Sequence, residues 1–385
     1  MNGFIKSSAE RTDPARRRAS SVLGVALLLI LAGCASGPVA DSDRQAVHLD
    51  AAQQALGIER GIVFNELGDF TAAMDEFSAV LAANPDNVDA LYEAALTRYA
   101  TRDFRECADL AGRGAALASP RKAAFELLLG NALDETGATD HAVAAYRRSI
   151  ALDGSDYLAH FNLAVTLARA NDTVAARRSV QRGLTLKPQH ASSHLLLARL
   201  YHYDGFRVPA ILAYARFLEL EARTERSAEA ADALQTLLAT GASVSRTDAQ
   251  VTLSLLQANP DVSEGNFKEI DLALSVLQGL QKSGDEARPN EAEQIAERFG
   301  LLFGMLSDTH RDGGNAGFAW EFYAPYFAAI ETMDFTRLVT YFTLRARAIP
   351  EVDTWLDDNH GKVNRFLAWS ADWQWLSPAE SPEPL

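Results

Sequence analysis

The histidines in the middle of the chain stand at spacings that metal sites use. His190 and His194 are four residues apart, and His202 follows eight residues after His194. Two imidazoles at positions i and i+4 of one helix can bind zinc, but no Glu stands between these two as in the H-E-x-x-H pattern of zinc hydrolases. His190 also falls in a predicted turn. The sequence therefore predicts no metal site and no bound cofactor.

Carboxylates in the carboxy-terminal part are the other candidates for chemistry. Residues 308–315 read DTHRDGGN, which lacks the spacing and the closing Glu of a calcium loop. Asp357 and Asp358 are adjacent, and adjacent residues of a helix do not face each other. No serine-hydrolase elbow, phosphate-binding loop or dinucleotide fingerprint occurs. We predict that the protein is not an enzyme.

Cys34 is the residue whose surroundings predict a covalent modification. Residues 1–33 contain five Lys and Arg residues and then an uncharged run at 22–32 that is too short to span a bilayer; LAGC ends at Cys34. This order resembles the lipobox of bacterial lipoproteins. The resemblance implies a signal peptide over 1–33 and lipidation of the Cys34 thiol by a diacylglycerol, with acyl chains such as palmitate. An ordinary secretory signal or an amino-terminal anchor helix is the alternative.

The lipoprotein resemblance also implies a location. Residue 35 is Ala rather than the Asp that favours retention in the inner membrane, which implies the bacterial outer membrane, with the protein facing the periplasm. Two or three acyl chains anchor a protein stably where one does not. Residues 34–53 would then form a lipidated flexible tether, because small and polar residues with Gly37 and Pro38 dominate its first half.

The composition narrows the class of partner. The chain has 385 residues, with 36 Lys and Arg against 51 Asp and Glu and a formal net charge of −15. Phosphate binding needs a surplus of cations on some face, so we predict no nucleic-acid partner. The two cysteines exclude a disulfide framework, so stability must come from packing.

A period of 34 or 35 residues dominates the first half of the chain. Turn residues recur 34, 35, 34 and 34 residues apart, at Gly68, Arg102, Gly137, Asn171 and Gly205. Small residues follow each turn, at Ala73, Cys107, Ala142, Ala175 and Ala210. Four residues later come Phe77, Tyr146 and Tyr214 in three units, but Ala111 and Ser179 in the other two.

This pattern resembles the tetratricopeptide repeat (TPR), in which two antiparallel helices approach closely at the small residue and stack on the next pair. The resemblance implies an all-α fold, with an α-solenoid of five repeats over residues 54–224. Their ranges are 54–87, 88–121, 123–156, 157–190 and 191–224. Cys107 occupies a small-residue position, which favours a buried core thiol over a redox role.

The TPR resemblance also implies a concave binding face on the first helices of the repeats. Family positions place on it Ile58, Ile62 and Asn65; Tyr92, Leu96 and Tyr99; Leu127, Asn131 and Asp134; Phe161, Val165 and Arg169; and Leu195, Arg199 and His202. Ile58 and Ile62 stand where chaperone-binding relatives carry Lys and Asn, so a carboxylate clamp is not expected. This largely apolar strip suits an amphipathic helix or an extended peptide. Alternatively, the chain's own carboxy-terminal helices cover it.

A second region begins near residue 225. From there on, 25 acidic residues face 12 basic ones, and all five tryptophans lie in this region. Apolar residues at three- and four-residue steps predict a carboxy-terminal α-helical domain over 225–376, without strands. Its predicted helices are 228–238, 249–256, 267–280, 292–306, 318–330, 335–348 and 363–369. The proline-rich residues 377–385 predict a disordered tail.

Two stretches of this domain are rich in aromatic residues. They are 318–327, FAWEFYAPYF, and 366–375, FLAWSADWQW. One hypothesis is that these rings bind or process peptidoglycan or another carbohydrate. The hypothesis that we favour is that they attach a helical cap to the last repeat.

Together these features predict a membrane-tethered interaction scaffold or assembly factor in the periplasm. It is similar to the TPR lipoproteins that serve as pilotins or as adaptors of envelope hydrolases. Its partner would be a cell-envelope protein that lays a helix or a peptide in the TPR groove. The lipid on Cys34 would raise the effective concentration of the groove near membrane partners.

Overall fold

The computed structural model describes residues 49–247, 250–255, 259, 261–283, 291–310, 315–347 and 349–376. The described residues group into two compact units, 49–166 and 167–376. The predicted signal peptide, Cys34, most of the predicted tether and the tail at 377–385 lie outside the described residues. The domain boundary predicted near residue 225 stays a prediction.

The first unit consists of paired antiparallel helices. They are α1 (Ala51–Glu66) with α2 (Phe70–Ala83), α3 (Val88–Ala100) with α4 (Phe104–Ala116), and α5 (Lys122–Glu135) with α6 (Thr139–Leu152), followed by α7 (Tyr157–Arg169). The pairs confirm the predicted repeats. Asp50 caps α1, and its side chain accepts a hydrogen bond from the Gln53 backbone N–H. Residues 51–53, which we predicted to be tether, are therefore helical.

The second unit continues the pairs and adds further helices. Its elements are α8 (Thr173–Leu186), α9 (Ala191–Tyr203), α10 (Arg207–Leu220), α11 (Glu225–Ala239), β1 (Ala242–Thr247), β2 (Gln250–Leu255), α12 (Lys268–Ser283), α13 (Glu291–His310), α14 (Ala324–Thr332), α15 (Thr336–Arg345), α16 (Pro350–Asp358) and α17 (His360–Asp372). A π-helical turn, Ala319–Tyr323, leads into α14. Helix α10 lies at the centre, because residues 208–218 are all buried and α9, α11, α12 and α15 contact it.

The turns inside the repeats have the conformation that the sequence pattern predicts. Gly68, Gly137 and Gly205 have φ values of 79°, 79° and 80°, and Arg102 and Asn171 stand in the equivalent turns at 63° and 68°. Glycine adopts this left-handed region without strain, whereas Arg102 does so at some energetic cost. The five turns therefore share one geometry despite their different residues.

The helices of a pair approach closely because an aromatic ring packs on a glycine of the partner helix. A Cβ at Gly61 would lie 2.4 Å from the Phe77 ring, and one at Gly130 would lie 2.6 Å from the Tyr146 ring. Both rings are completely buried, as are the small residues Ala73, Cys107 and Ala142. Ala73, Cys107 and Ala142 therefore have the predicted packing role, whereas in the fourth repeat the completely buried residue is Ala176 and the predicted Ala175 is partly exposed.

The prediction of a helix over 249–256 is wrong for residues 250–255, which are the part of this segment that the structure describes. Residues 250–255 form β2, which pairs antiparallel with β1 in a hairpin whose register runs from Ala242 opposite Leu255 to Thr247 opposite Gln250. Apolar Val251, Leu253 and Leu255 alternate with polar residues, and this period of two is typical of a strand. Apart from this hairpin the described residues are helical or lie in turns and loops, which confirms the all-α class.

The other predicted carboxy-terminal helices match α11 to α15 and α17. None of the predicted helices covers α16, which lies between the predicted helices 335–348 and 363–369. Pro350 is the first residue of α16, where its missing N–H leaves no helical hydrogen bond unmade.

Candidate partner-binding face

The first helices of the repeats, α1, α3 and α5, lie next to one another in the first unit. On α1, Gly57 faces Val80 of α2 and Gly61 faces Phe77 of α2. Ile58 and Ile62 each follow one of these glycines, so they lie about 100° around the helix. The two isoleucines are therefore turned away from the ring that holds the pair together.

Six of the predicted groove residues form a partly exposed apolar strip, which we call the inner face. They are Ile58, Ile62, Tyr92, Leu96, Tyr99 and Leu127. All six are intermediate in exposure, and the first five pack against the buried core of the unit. Each of these five side chains is thus held by the core on one side and leaves apolar surface on the other.

Aromatic contacts hold the two tyrosines of the inner face in place. The ring of Tyr92 makes an edge contact with Phe125 at 5.4 Å, and the Arg121 guanidinium lies 5.0 Å from the Tyr92 ring centre. Arg121 Nε in turn donates to Asp89 Oδ1 at 2.8 Å. Tyr99 contacts the Phe104 ring at 5.4 Å. Fixed rings lose little conformational entropy when a partner binds, which favours affinity.

Polar side chains link the first helices of successive repeats. Asn65 Nδ2 donates to Thr97 Oγ1 at 2.8 Å, between α1 and α3. Thr166 Oγ1 donates to Asp134 Oδ1 at 3.0 Å, between α7 and α5. These bonds join residues 32 positions apart, about one repeat, so they fix the spacing of the helices that carry the inner face.

Other predicted groove residues of the first unit are buried. Asn131, Phe161 and Val165 are only 4%, 7% and 7% exposed. Asn131 Oδ1 accepts hydrogen bonds from Tyr146 OH at 3.0 Å and from Asn162 Nδ2 at 2.8 Å. The exposed strip is thus narrower than we predicted, because a family position gives the direction of a side chain and not how closely its neighbours pack.

The groove residues predicted in the second unit are partly engaged by α11. Arg199 Nη2 lies 3.2 Å from Glu229 Oε2 on α11, and Arg226 Nη1 of α11 donates to Ser192 Oγ at 3.0 Å. Leu195 is 4% exposed. Much of the His202 side chain is exposed, and the desolvation of its remaining, buried part lowers its pKa. Helix α11 starts 34 residues after α9, so it takes the place of the first helix of a further repeat.

The histidines that we examined as metal ligands have structural contacts. His190 Nδ1 lies 2.7 Å from Ser193 Oγ, and His194 Nε2 lies 2.8 Å from the Pro188 carbonyl oxygen. Burial lowers the pKa of His190 to about 4 and that of His194 to about 3, so both are neutral at pH 7. Among the described residues, no group of three or more His, Cys, Asp or Glu side chains could hold a metal ion.

The two aromatic stretches of the carboxy-terminal domain pack on each other and on the repeats of the second unit. The Tyr326 ring stacks on Trp369 at 5.2 Å and on Trp375 at 4.7 Å. The guanidinium of Arg216, on α10, lies 4.9 Å from the centre of the Tyr326 ring and 5.1 Å from that of Trp375. Tyr323 contacts His194 of α9. The rings therefore attach the carboxy-terminal helices to α9 and α10.

No helix among the described residues is long and apolar enough to cross a bilayer.

Comparison with known proteins identifies the repeat. Residues 127–156 match the model of the tetratricopeptide repeat family, which corresponds to most of α5 and all of α6. A curated relative, the CTR9 homolog protein of Arabidopsis thaliana, is 26% identical over 164 residues, which are 42% of this chain. The match spans only 15% of the length of that relative.

Solved structures with some similarity include three TPR-like chains. MamA shares 21% identity with a TM-score of 0.42 over 45% of this chain and 93% of its own. For pilF of Pseudomonas aeruginosa the identity is 18% and the TM-score 0.43, over 49% of this chain and 89% of its own. YrrB, a TPR protein with an unusual peptide-binding site, shares 16% identity with a TM-score of 0.39, over 44% of this chain and 88% of its own.

The family match at 127–156 and the paired helices with their shared turns establish that this is a TPR-containing chain with an all-α TPR fold. TPR proteins are in general non-enzymatic scaffolds for interactions between proteins. The fold therefore supports a protein partner.

Proposed function

We propose that the protein is a membrane-tethered scaffold of the bacterial periplasm that binds a helix or an extended peptide of a cell-envelope protein on its inner face. The observation that carries this proposal is the row of six partly exposed apolar side chains on α1, α3 and α5. Apolar surface that is gathered on one face of a protein commonly marks an interaction site.

The spacing of the inner face fits a regular partner. Ile58 and Ile62 are one helical turn apart on α1, and Tyr92 and Leu96 are one turn apart on α3. Two neighbouring helices therefore each offer a pair of apolar contacts. An amphipathic helix with anchors at i, i+3, i+4 and i+7, or a strand with alternate apolar side chains, can cover both pairs at once.

The membrane tether is the second part of the proposal. The lipobox resemblance implies that the mature chain begins at Cys34. Lipidation of Cys34 would hold the repeats at the inner surface of the outer membrane. A tethered groove meets membrane partners at a much higher effective concentration than a freely diffusing one. Moderate affinity at the inner face would then suffice for stable capture.

The alternative, a carbohydrate-binding domain, has weaker support. Rings that stack on sugars must be accessible, whereas Tyr326 and Phe327 are completely buried and Trp320 is 5% exposed. Their neighbours Trp369 and Trp375 stack on Tyr326. These rings stabilise the domain, and we give the binding role to the repeats.

Site-specific photo-crosslinking tests the inner face. A benzophenone amino acid in place of Ile62 should crosslink to a partner in intact cells. The same amino acid in place of Val63, which is 52% exposed on the same helix, is the matched control because it lies about 100° around α1. The proposal fails if both positions capture the same protein, or if neither captures any.

A charge on the inner face provides the second half of the test. Tyr99→Asp should abolish the crosslink formed at position 62, because a partner would have to bury a carboxylate. Tyr203→Asp, at a tyrosine that is 51% exposed on α9, should leave the crosslink unchanged. Circular dichroism and thermal unfolding of both variants show whether Tyr99→Asp still folds, and Leu96→Lys serves as a second variant if it does not.

Fractionation of cells tests the tether separately. Cys34→Ser should move the protein from the membrane fraction to the soluble periplasmic fraction, and wild-type protein should carry radioactive palmitate. Unchanged membrane association of Cys34→Ser would contradict the lipid anchor. It would not contradict the proposal that the inner face binds a partner.

A further inference from the structure

The second helices of the repeats border a cavity that is independent of the inner face. It has a volume of about 480 Å³ and lies between α4, α5 and α6 of the first unit. Leu129 lines it and follows Leu127 of the inner face by two residues, so the two leucines lie about 200° apart around α5. The cavity and the inner face are therefore on different sides of the unit. We propose that this cavity binds an acidic peptide segment that inserts an apolar side chain.

The floor of the cavity is apolar. Ala115 is 7% exposed, Leu129 is partly buried, and Ala151 and Leu152 form an exposed edge. Leu152 is 51% exposed, which makes it one of the large apolar side chains most open to water in this unit. A bound aliphatic or aromatic side chain would cover Leu152 and remove this apolar area from water.

Cations are concentrated in the segments that line the cavity, although the unit as a whole is acidic. Residues 49–166 contain 9 Lys and Arg against 18 Asp and Glu. Lys122 and Arg148 line the cavity, and Arg113, Arg121 and Arg147 adjoin lining residues in sequence, although the Arg121 guanidinium lies against Tyr92 of the inner face. Their concentration at one place points to a partner with the opposite charge.

Three of these cations lack a carboxylate partner. Arg121 is paired with Asp89 and Arg148 with Glu126, whereas no ion pair involves Arg113, Lys122 or Arg147 in the described part of the chain. Arg113 donates to the Pro85 carbonyl oxygen at 2.8 Å. One uncompensated cation thus stands on α4, one at the start of α5 and one on α6.

The nearby carboxylates do not cancel this charge. Glu126 lines the cavity and is paired with Arg148, whose Nη2 lies 2.8 Å from its Oε2. Asp153 follows Leu152 and keeps its negative charge, because hydrogen bonds from Ser155 lower its pKa. Asp109 is one turn before Arg113 on α4. Against the five cations, Asp109, Glu126, Asp153 and the Asp89 that pairs with Arg121 leave an excess of one positive charge, which favours an acidic segment over a basic one.

The shape of the cavity favours a peptide over an acyl chain. Ala116, Arg148, Ala151 and Leu152 all line it and are all exposed, so the cavity is open along one edge. A fatty acyl chain needs a long enclosed apolar channel, whereas a peptide can insert one side chain and keep its polar backbone in water. The volume falls within the usual range of ligand sites, roughly 300–1,000 Å³.

Gly112 allows the cavity to be closed without disturbing the fold. It lines the cavity on α4, and a Cβ placed there would meet no atom within 4 Å. Gly112→Leu therefore fills the entrance with a side chain that has room to be accommodated. Gly112→Ala is the matched control, because it makes the same change in helix propensity with almost no added bulk.

Selection from a peptide library tests the proposal without a known ligand. A displayed library of random twelve-residue peptides is selected on the full chain and in parallel on Gly112→Leu. We expect peptides with a Leu, Ile or Phe flanked by Asp and Glu to be enriched on wild type and absent on Gly112→Leu. No enrichment, or the same peptides on both proteins, overturns the proposal, as does enrichment of basic peptides.

Fluorescence anisotropy with the most enriched peptide then tests the charge. Lys122→Glu should weaken binding about tenfold, because a like charge replaces an attractive one, and Arg178→Glu, at an exposed position of α8, should leave it unchanged. Gly112→Ala and the inner-face variant Tyr99→Asp should both bind like wild type. Equal loss in Arg178→Glu would overturn the proposal by showing a general charge effect. Displacement of the peptide by oleate would instead assign the cavity to lipids.

Discussion

The hydroxyl of Tyr323 lies 2.7 Å from Nδ1 of His194. His194 belongs to the fifth repeat and Tyr323 to the π-helical turn before α14, so this contact joins the repeats of the second unit to its carboxy-terminal helices. Both side chains are completely buried. Burial, together with the charge of Arg216, lowers the pKa of His194 to about 3.

The first prediction is that the second unit loses stability in mild acid. His194 is neutral in the folded chain down to pH of about 3, whereas in the unfolded chain it binds a proton below its ordinary pKa of 6.5. The unfolded state therefore binds more protons between these values, and the stabilisation that is complete above pH 6.5 is lost progressively as the pH falls. His194 alone should lower the free energy of unfolding by about 1.4 kcal/mol between pH 7.5 and 5.5.

Urea unfolding at the two pH values measures this effect. His194→Gln should remove about 1.4 kcal/mol of the difference. His190, whose pKa is also lowered, should account for a similar share. An unchanged pH dependence in His194→Gln would contradict a buried neutral His194.

The second prediction compares two glycines of the first unit. A Cβ at Gly130 would lie 2.6 Å from the Tyr146 ring, whereas one at Gly112 would meet nothing within 4 Å. Gly130→Ala should therefore destabilise the unit by about 1–3 kcal/mol through overpacking. Gly112→Ala should stabilise it by about 0.5–1 kcal/mol, because glycine is a poor helix former. Chemical denaturation should give opposite signs, and equal effects would contradict the close packing of Gly130.

The third prediction concerns the buried ion pair of α10. Arg216 Nη1 lies 2.7 Å from Glu219 Oε2, and the two side chains are only 3% and 1% exposed. Arg216→Met leaves a carboxylate buried without its cation and should cost about 3–5 kcal/mol. The double variant Arg216→Met, Glu219→Met should recover most of this loss.

An exposed ion pair provides the control for this measurement. Arg60 and Glu76 also lie 2.7 Å apart, but Arg60 is 50% exposed. Arg60→Met should therefore cost less than about 1 kcal/mol. If the double variant on α10 is as unstable as Arg216→Met alone, the loss comes from the contacts of Arg216 with Tyr326 and Ser370 rather than from the unpaired carboxylate.

The repeats could be predicted from the sequence because one local rule recurs. Every turn needs a positive φ, and the aligned positions from Gly68 to Gly205 recur every 34 or 35 residues and carry Gly or Asn everywhere except at Arg102. The hairpin at 242–255 could have been found in the same way, since Val251, Leu253 and Leu255 alternate with polar residues. We missed it because the helical pattern on both sides led us to interpret the segment as another helix.

The candidate sites were less predictable because exposure depends on neighbours that are distant in sequence. The family pattern placed Leu96 and Asn131 on the same kind of position, yet Leu96 is partly exposed and Asn131 is buried under hydrogen bonds to Tyr146 and Asn162. The cavity between α4, α5 and α6 left one signal in the sequence, the clustering of Arg113, Lys122 and Arg147 in an acidic segment. The clustering can be interpreted as a binding site only when the structure shows that α4, α5 and α6 enclose an apolar cavity.

The last prediction concerns the reactivity of Cys107. Its side chain is completely buried, and burial, together with the charge of Asp103, raises the pKa of the thiol to about 12. Because the thiolate is the reactive form, Cys107 should not react with Ellman's reagent at pH 8 in the folded chain. The measurement uses Cys34→Ser, so that Cys107 is the only thiol, and one equivalent should react after unfolding in guanidinium chloride. Rapid reaction of the folded protein would mean that α3 and α4 separate readily. It would also favour a redox role for Cys107 over the core role that its small-residue position predicts.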